Sequence, residues 1–268
     1  VNDMTMKPMA ASDATLGPWK GVSLVLAATA LLAGCAVQPG APLPTDGVAA
    51  RSAQVVRATP VYPRTPQGAA MTFAAVIRSM EPVIESECVQ RRRSPINCDF
   101  QFVVDDRPGL EPNAFQTLDP NGRPIIGFTL ALIAMAQNAD ELAFAVGHEA
   151  SHHILNHIDQ RTGAATAGAA ILSGIVAASG ADPASIRAAQ QMGASVGARY
   201  YSRDWELQAD YLGAIVTLNA GYDPVRGAEF FARIPDPGDR ILGTHPSRAQ
   251  RQARVAQAVQ DVSSGRAR

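Results

Sequence analysis

The 268 residues carry 23 lysines and arginines against 24 aspartates and glutamates, a formal net charge of −1, which removes the electrostatic case for a nucleic-acid partner. Apolar residues make up 47% and aromatic residues only 6%, so the composition points to an Ala- and Leu-rich, mainly helical protein and away from an all-β one. The length is enough for one large domain or two small ones, with a sizeable core.

The chain begins its recognisable pattern at Gly21–Leu32, a short apolar run with Lys20 in front. It is too short to span a bilayer comfortably and reads as the apolar part of a secretory signal, residues 1–34. The run ends in Leu32-Ala33-Gly34-Cys35, which resembles the lipobox of bacterial lipoproteins. That resemblance implies cleavage before Cys35, its acylation, and sorting to the outer membrane with Ala36 as the next residue. Several acyl chains, at about 0.8 kcal/mol per buried CH₂, would anchor the chain stably. An ordinary cleaved signal followed by an unrelated cysteine is the alternative.

Three cysteines are present. With Cys35 lipidated, Cys88 and Cys98 are left as an even pair, expected to form a disulfide in an oxidising compartment. It would close a short loop through Arg91, Arg92 and Arg93 and contribute roughly 2–3 kcal/mol. The alternative, zinc binding by these two thiols, lacks a second ligand pair nearby.

Residues 35–67 are rich in Pro, Ala and Gly and are expected to be a flexible tether. A domain over 68–262 and a tail over 263–268 complete the chain. Apolar spacing predicts a helix from Met71 to Cys88. Three strands, Cys98–Val104, Asn113–Leu118 and Pro124–Phe128, are expected as a small antiparallel sheet, the last two joined as a hairpin by Asp119-Pro120-Asn121-Gly122. A short helix, Thr129–Gln137, precedes one capped at Asn138, with Glu141 placed to reach back. This second helix is expected to run to Ile158, with Leu142, Ala143, Val146, Ala150 and Ile154 on its core side.

Residues 161–197 are mostly Ala, Gly and Ser and are expected to be a close-packed helix pair; a lid or membrane-contact element is the alternative. A helix capped by Ser202 then runs to Leu218. Gly221 stops it, Asp223-Pro224 opens another, and Pro246–Val262 forms the last.

The chemistry concentrates in His148-Glu149-Ala150-Ser151-His152, with His153 and His157 close behind. His148 and His152 are one helical turn apart, about 40° from each other, so two imidazoles can meet one metal ion. Glu149 lies beside that face, where its carboxylate can act as a general base on water. His153 and His157 fall away from it and read as scaffold. A catalytic metal needs a third protein ligand, and Glu206 in Glu206-Leu207-Gln208-Ala209-Asp210 can supply it. Asp210, four residues on, can orient a ligating histidine or hold an arginine. The remaining histidine, in Thr244-His245-Pro246, could donate to a developing oxyanion. Arg251 is spaced to reach Asp210, with Arg248 as the competing partner.

Together, Asn113-Ala114-Phe115, Asp140-Glu141-Leu142-Ala143, His148-Glu149-Ala150-Ser151-His152, His157, Tyr201-Ser202-Arg203, Glu206 with Asp210, and Thr244-His245-Pro246 with Arg251 resemble the HtpX-like zinc endopeptidases. That family includes the Oma-type and CAAX prenyl proteases. The resemblance is greatest to its LoiP-like periplasmic lipoproteins. It implies an α+β gluzincin fold with one Zn²⁺ per chain on His148, His152 and Glu206, and Glu149 as base. It also implies a sheet edge near Asn113, Ala114 and Phe115 that binds extended peptide. The expected function is hydrolysis of misfolded or unassembled envelope proteins by a lipid-anchored outer-membrane endopeptidase facing the periplasm. A non-catalytic chaperone lipoprotein and a zinc hydrolase of peptidoglycan are the rival readings.

Overall fold

Helix α1, Pro66–Arg91, repeats apolar residues every three or four positions, and Phe73, Val76, Met80, Ile84 and Cys88 are buried along one side. Its start precedes the expected one because Thr65 caps it, its hydroxyl accepting from Gly68 N at 3.0 Å, and Pro66 suits a first helical position. The computed structural model describes residues 65–200, 202–233 and 246–268, all in the compact unit Thr45–Arg268. The expected signal, Cys35, the tether as far as residue 64, Tyr201, Thr244 and His245 lie outside the described residues. Beyond α1, Cys88 and Cys98 are joined as a disulfide, which ties the end of the helix to the segment entering the sheet.

The sheet holds β1, Gln101–Asp105, β2, Ala114–Leu118, and β3, Pro124–Thr129, in the order β1-β3-β2. β2 and β3 form the expected hairpin, but β1 runs parallel to β3. The sheet is therefore mixed, which corrects the antiparallel expectation. β3 is the most buried strand, and its apolar residues draw it to the centre. Residues 106–113 are long enough to step across the end of β3, two strand spacings or about 9–10 Å. Thr129 fixes this crossing: its hydroxyl donates to Glu111 O at 3.1 Å and accepts from Asn113 N at 2.9 Å.

A short helix α2, Leu130–Met135, leads to α3, Ala139–Ile154. Asn138 caps α3 by accepting from Glu141 N at 3.0 Å, while the Glu141 carboxylate accepts from Gln137 N at 2.7 Å and pairs with Arg233. The reciprocal cap thus reaches one residue further back than a standard capping box. α3 packs Leu142, Val146, Ala150 and Ile154 into the core shared with α1 and the sheet. It stops four residues short of the expected end, because Asn156 takes a left-handed conformation (φ 59°, ψ 40°). Asparagine tolerates this better than most residues.

His157 opens α4, His157–Ala178, which folds back against α5, Pro183–Tyr200, as the expected helix pair. Gly168, Gly193 and Gly197 let the backbones approach: a Cβ at Gly168 would fall 2.2 Å from Gly193 O. α4 is long and apolar enough to cross a membrane by length and composition alone, and none of its apolar window is buried.

α6, Ser202–Asn219, packs on α3. Ser202 is helical rather than a cap, and its hydroxyl donates to Arg199 O at 2.7 Å. α7, Pro224–Gly227, is capped by Asp223, and a 3₁₀ turn, Ala228–Ala232, comes next. α8, Arg248–Ser263, has a capping box between Ser247 and Gln250. It closes a second small core of Phe144, Ile215, Phe231 and Val255.

Candidate metal centre

Two glycines set the spacing on which the site depends. A Cβ at Gly147 would lie 2.9 Å from Gly213 O, and one at Gly213 would lie 2.9 Å from His148 Cα. Without those side chains, α3 and α6 approach closely, and Glu206 on α6 comes level with the histidines of α3. His148 Nε2 and His152 Nε2 are 3.2 Å apart. Glu206 places Oε2 3.6 Å from the first and Oε1 3.4 Å from the second.

Three Lewis bases thus converge on one point, and all their ligand atoms lie within 4.8 Å of one another. A tetrahedral ion with ligands at about 2.0–2.1 Å requires ligand–ligand separations of about 3.3–3.4 Å. The histidine nitrogens and the two carboxylate oxygens stand at separations close to that requirement, so the donor set fits a divalent metal ion. Glu149 is half-buried on the same helix, next to this cluster in sequence.

Asp210 is fully buried, and its Oδ1 lies 3.0 Å from His148 Nδ1. Arg251 reaches it from α8 with two bonds, Nε to Oδ2 at 2.8 Å and Nη2 to Oδ1 at 2.6 Å. The partnership left open between Arg248 and Arg251 therefore falls to Arg251. The guanidinium also stacks on the Phe231 ring, 3.8 Å from its centroid, and lies 3.7 Å from Glu206. Burial opposes ionisation of Asp210, but Arg251 and His148 together outweigh it and hold the carboxyl below its ordinary range. Burial likewise opposes protonation of His148, but the hydrogen bond to Asp210 and the neighbouring Glu206 carboxylate prevail and push its pKa up to about 9.

The two remaining histidines of the cluster diverge. His153 is buried in the core, with Nε2 2.6 Å from Asn97 O and its ring edge-on to Phe100. Burial lowers its pKa. The left-handed turn at Asn156 instead brings His157 back beside the site, its Nδ1 2.9 Å from His152 Nδ1. Burial first, and then the neighbouring His152, push its pKa down to about 4. A reading of positions 148–158 as one uninterrupted helix missed this contact. The signal was Asn156, a residue type that often ends a helix in the left-handed region.

A cavity of about 290 Å³ opens beside His152, walled by Ile96, Asn97, Gln116 and Leu118, with Asp159 at its margin. Just before β2, the Asn113 carbonyl accepts from Thr129 N of β3 at 3.0 Å, while Asn113 N donates to the Thr129 hydroxyl at 2.9 Å. By the alternation of an antiparallel pair, the backbone groups of Ala114 and Gln116 then face the outer edge of the strand. The Phe115 ring lies over Gly127, filling the space its Cβ would take. The family model described as Peptidase family M48 matches residues 72–259. No curated protein matches the chain.

Proposed function

Because this chain belongs to peptidase family M48 and is a metallopeptidase, we propose that its two-histidine, one-glutamate cluster holds a catalytic zinc ion and that the protein is a zinc endopeptidase. The observation that carries this is the convergence of His148 and His152 Nε2, 3.2 Å apart, with the Glu206 carboxylate, one oxygen 3.6 Å from the first and the other 3.4 Å from the second, spacings close to those of a zinc tetrahedron with one position left for water. Zinc bound there supplies Lewis acidity toward a scissile carbonyl and toward water.

The chain's own groups do the rest. Glu149 takes a proton from the attacking water and delivers it to the leaving amine. Asp210 holds the His148 ring by Nδ1, so that Nε2 stays turned to the ion, and Arg251 keeps Asp210 ionised. His245, outside the described residues, is proposed on its sequence pattern to donate to the oxyanion. An extended substrate would add to the outer edge of β2, pairing with backbone groups of Ala114 and Gln116. Asn113 and Phe115 hold that edge in place.

The deciding experiment is Glu149→Gln. It should keep zinc at parent stoichiometry and lose cleavage of an unfolded protein by at least about 10²-fold, the low end of general acid–base contributions. Cleavage at the parent rate would reject the mechanism.

We further infer that the substrates are misfolded or unassembled envelope proteins and that the enzyme faces the periplasm from the outer membrane, lipid-anchored at Cys35. The lipobox pattern, the Cys88–Cys98 disulfide and the unburied apolar helix α4 support this placement. Incorporation of labelled palmitate should be lost in Cys35→Ala. Equal labelling of both proteins would remove the anchor.

A further inference from the structure

On the zinc reading of the cluster, on which the role assigned here to His157 depends, the support of one ligand is still unexplained. A ligating histidine ordinarily has its second ring nitrogen held by a neighbour, which fixes both tautomer and ring orientation. Asp210 does this for His148. For His152 the corresponding nitrogen, Nδ1, meets another imidazole, His157 Nδ1, at 2.9 Å. Two ring nitrogens at that separation need one proton between them. With His152 Nε2 turned to the cluster, the proton sits on His152 Nδ1, and His157 Nδ1 accepts it.

We propose that His157 is a positioning residue, which holds the second metal ligand through an imidazole–imidazole hydrogen bond set up by the left-handed turn at Asn156.

Helical geometry shows why the turn matters. On an uninterrupted helix, a residue five positions after His152 would stand about 140° around the axis and could not meet its ring. The turn at Asn156 redirects the chain, so that the first residue of α4 faces the last turn of α3. α6 holds His157 from the other side. The Trp205 ring lies 6.1 Å away at 30°, and its Nε1 donates to Gln160 of α4 at 3.2 Å. Trp205 immediately precedes Glu206, so one stretch of α6 supplies both the third ligand and the support for the second ligand's partner. His157 Nε2 is buried without a well-formed hydrogen bond, the Gln208 amide being a polar neighbour. Burying such a group is unfavourable, so space-filling alone is a poor account of a histidine here.

The test compares two variants of similar size, His157→Gln, whose amide oxygen can accept from His152, and His157→Met, which cannot. Zinc affinity is read by chelator competition alongside the melting temperature of the metal-free proteins. The Met variant should bind zinc about 10–100-fold more weakly, the Gln variant within a few-fold of the parent, and the metal-free melting temperatures of the two should agree. A parent that binds zinc while the two variants share one affinity overturns the proposal and leaves the metal site intact. A parent that takes up no zinc overturns both. Zinc-loaded parent protein supplies a check that needs no variant. Nitrogen–nitrogen coupling across the hydrogen bond should connect His152 Nδ1 with His157 Nδ1. Its absence, with the His152 ring proton visible, also overturns the proposal.

Discussion

Asp210 shows how much of this site depends on single side chains. It is a buried carboxylate bonded at once to the His148 imidazole and, bidentately, to Arg251. Removing its cation would leave an uncompensated buried charge, so Arg251→Met should destabilise the protein by roughly 3–5 kcal/mol, measured by urea unfolding. A loss below about 1 kcal/mol, the scale of an exposed pair, would mean that Asp210 is solvated when the protein is free in solution. Glu149→Gln should behave oppositely, leaving stability nearly unchanged while removing turnover. His148, Glu149, His152, Glu206 and Asp210 were all legible as residues, because a period of 3.6 puts positions four apart on one face whatever the rest of the chain does. His157 was not, since its role depends on one backbone dihedral pair at Asn156 rather than on helical spacing.

Between elements, the decisive contact is α3 against α6, where Gly147 and Gly213 face each other with no room for a methyl group. Gly213→Ala should therefore push the helices apart. We expect a stability loss of about 1–3 kcal/mol and a weaker hold on zinc, because Glu206 would retreat from both histidines. Thermal melts with and without zinc check both effects; unchanged zinc affinity would show that the ligand triangle is set elsewhere. The helix pair α4 and α5 uses the same device at Gly168, Gly193 and Gly197 but carries none of the proposed ligands. Its existence was readable from Ala and Gly content, and that of each strand from β-rich runs bounded by turn residues. The strand order was not. Pairing of β1 with β3 depends on which strand is most apolar and on where residues 106–113 can cross, and both are settled by the core beneath the sheet.

At the scale of the whole molecule, metal and disulfide should act as separate supports. Zinc that binds only the folded protein should raise its stability by about 2.7 kcal/mol at a hundredfold excess over Kd, seen as a higher melting temperature that a chelator reverses and added zinc restores. The paired substitution of Cys88 and Cys98 by serine should cost about 2–3 kcal/mol through lost loop closure while zinc uptake persists, because the bridge ties α1 to the entrance of the sheet and not to the ligands. By itself the sequence determined the helical class, the disulfide partners, and the helical positions of the proposed ligands and base, since all of these follow from local periodicity or residue chemistry. Only the tertiary structure decided the mixed sheet, the choice of Arg251 for Asp210, and the return of His157 to His152. Each of these depends on the direction in which one element leaves another, and that direction is fixed by packing among residues far apart in the chain.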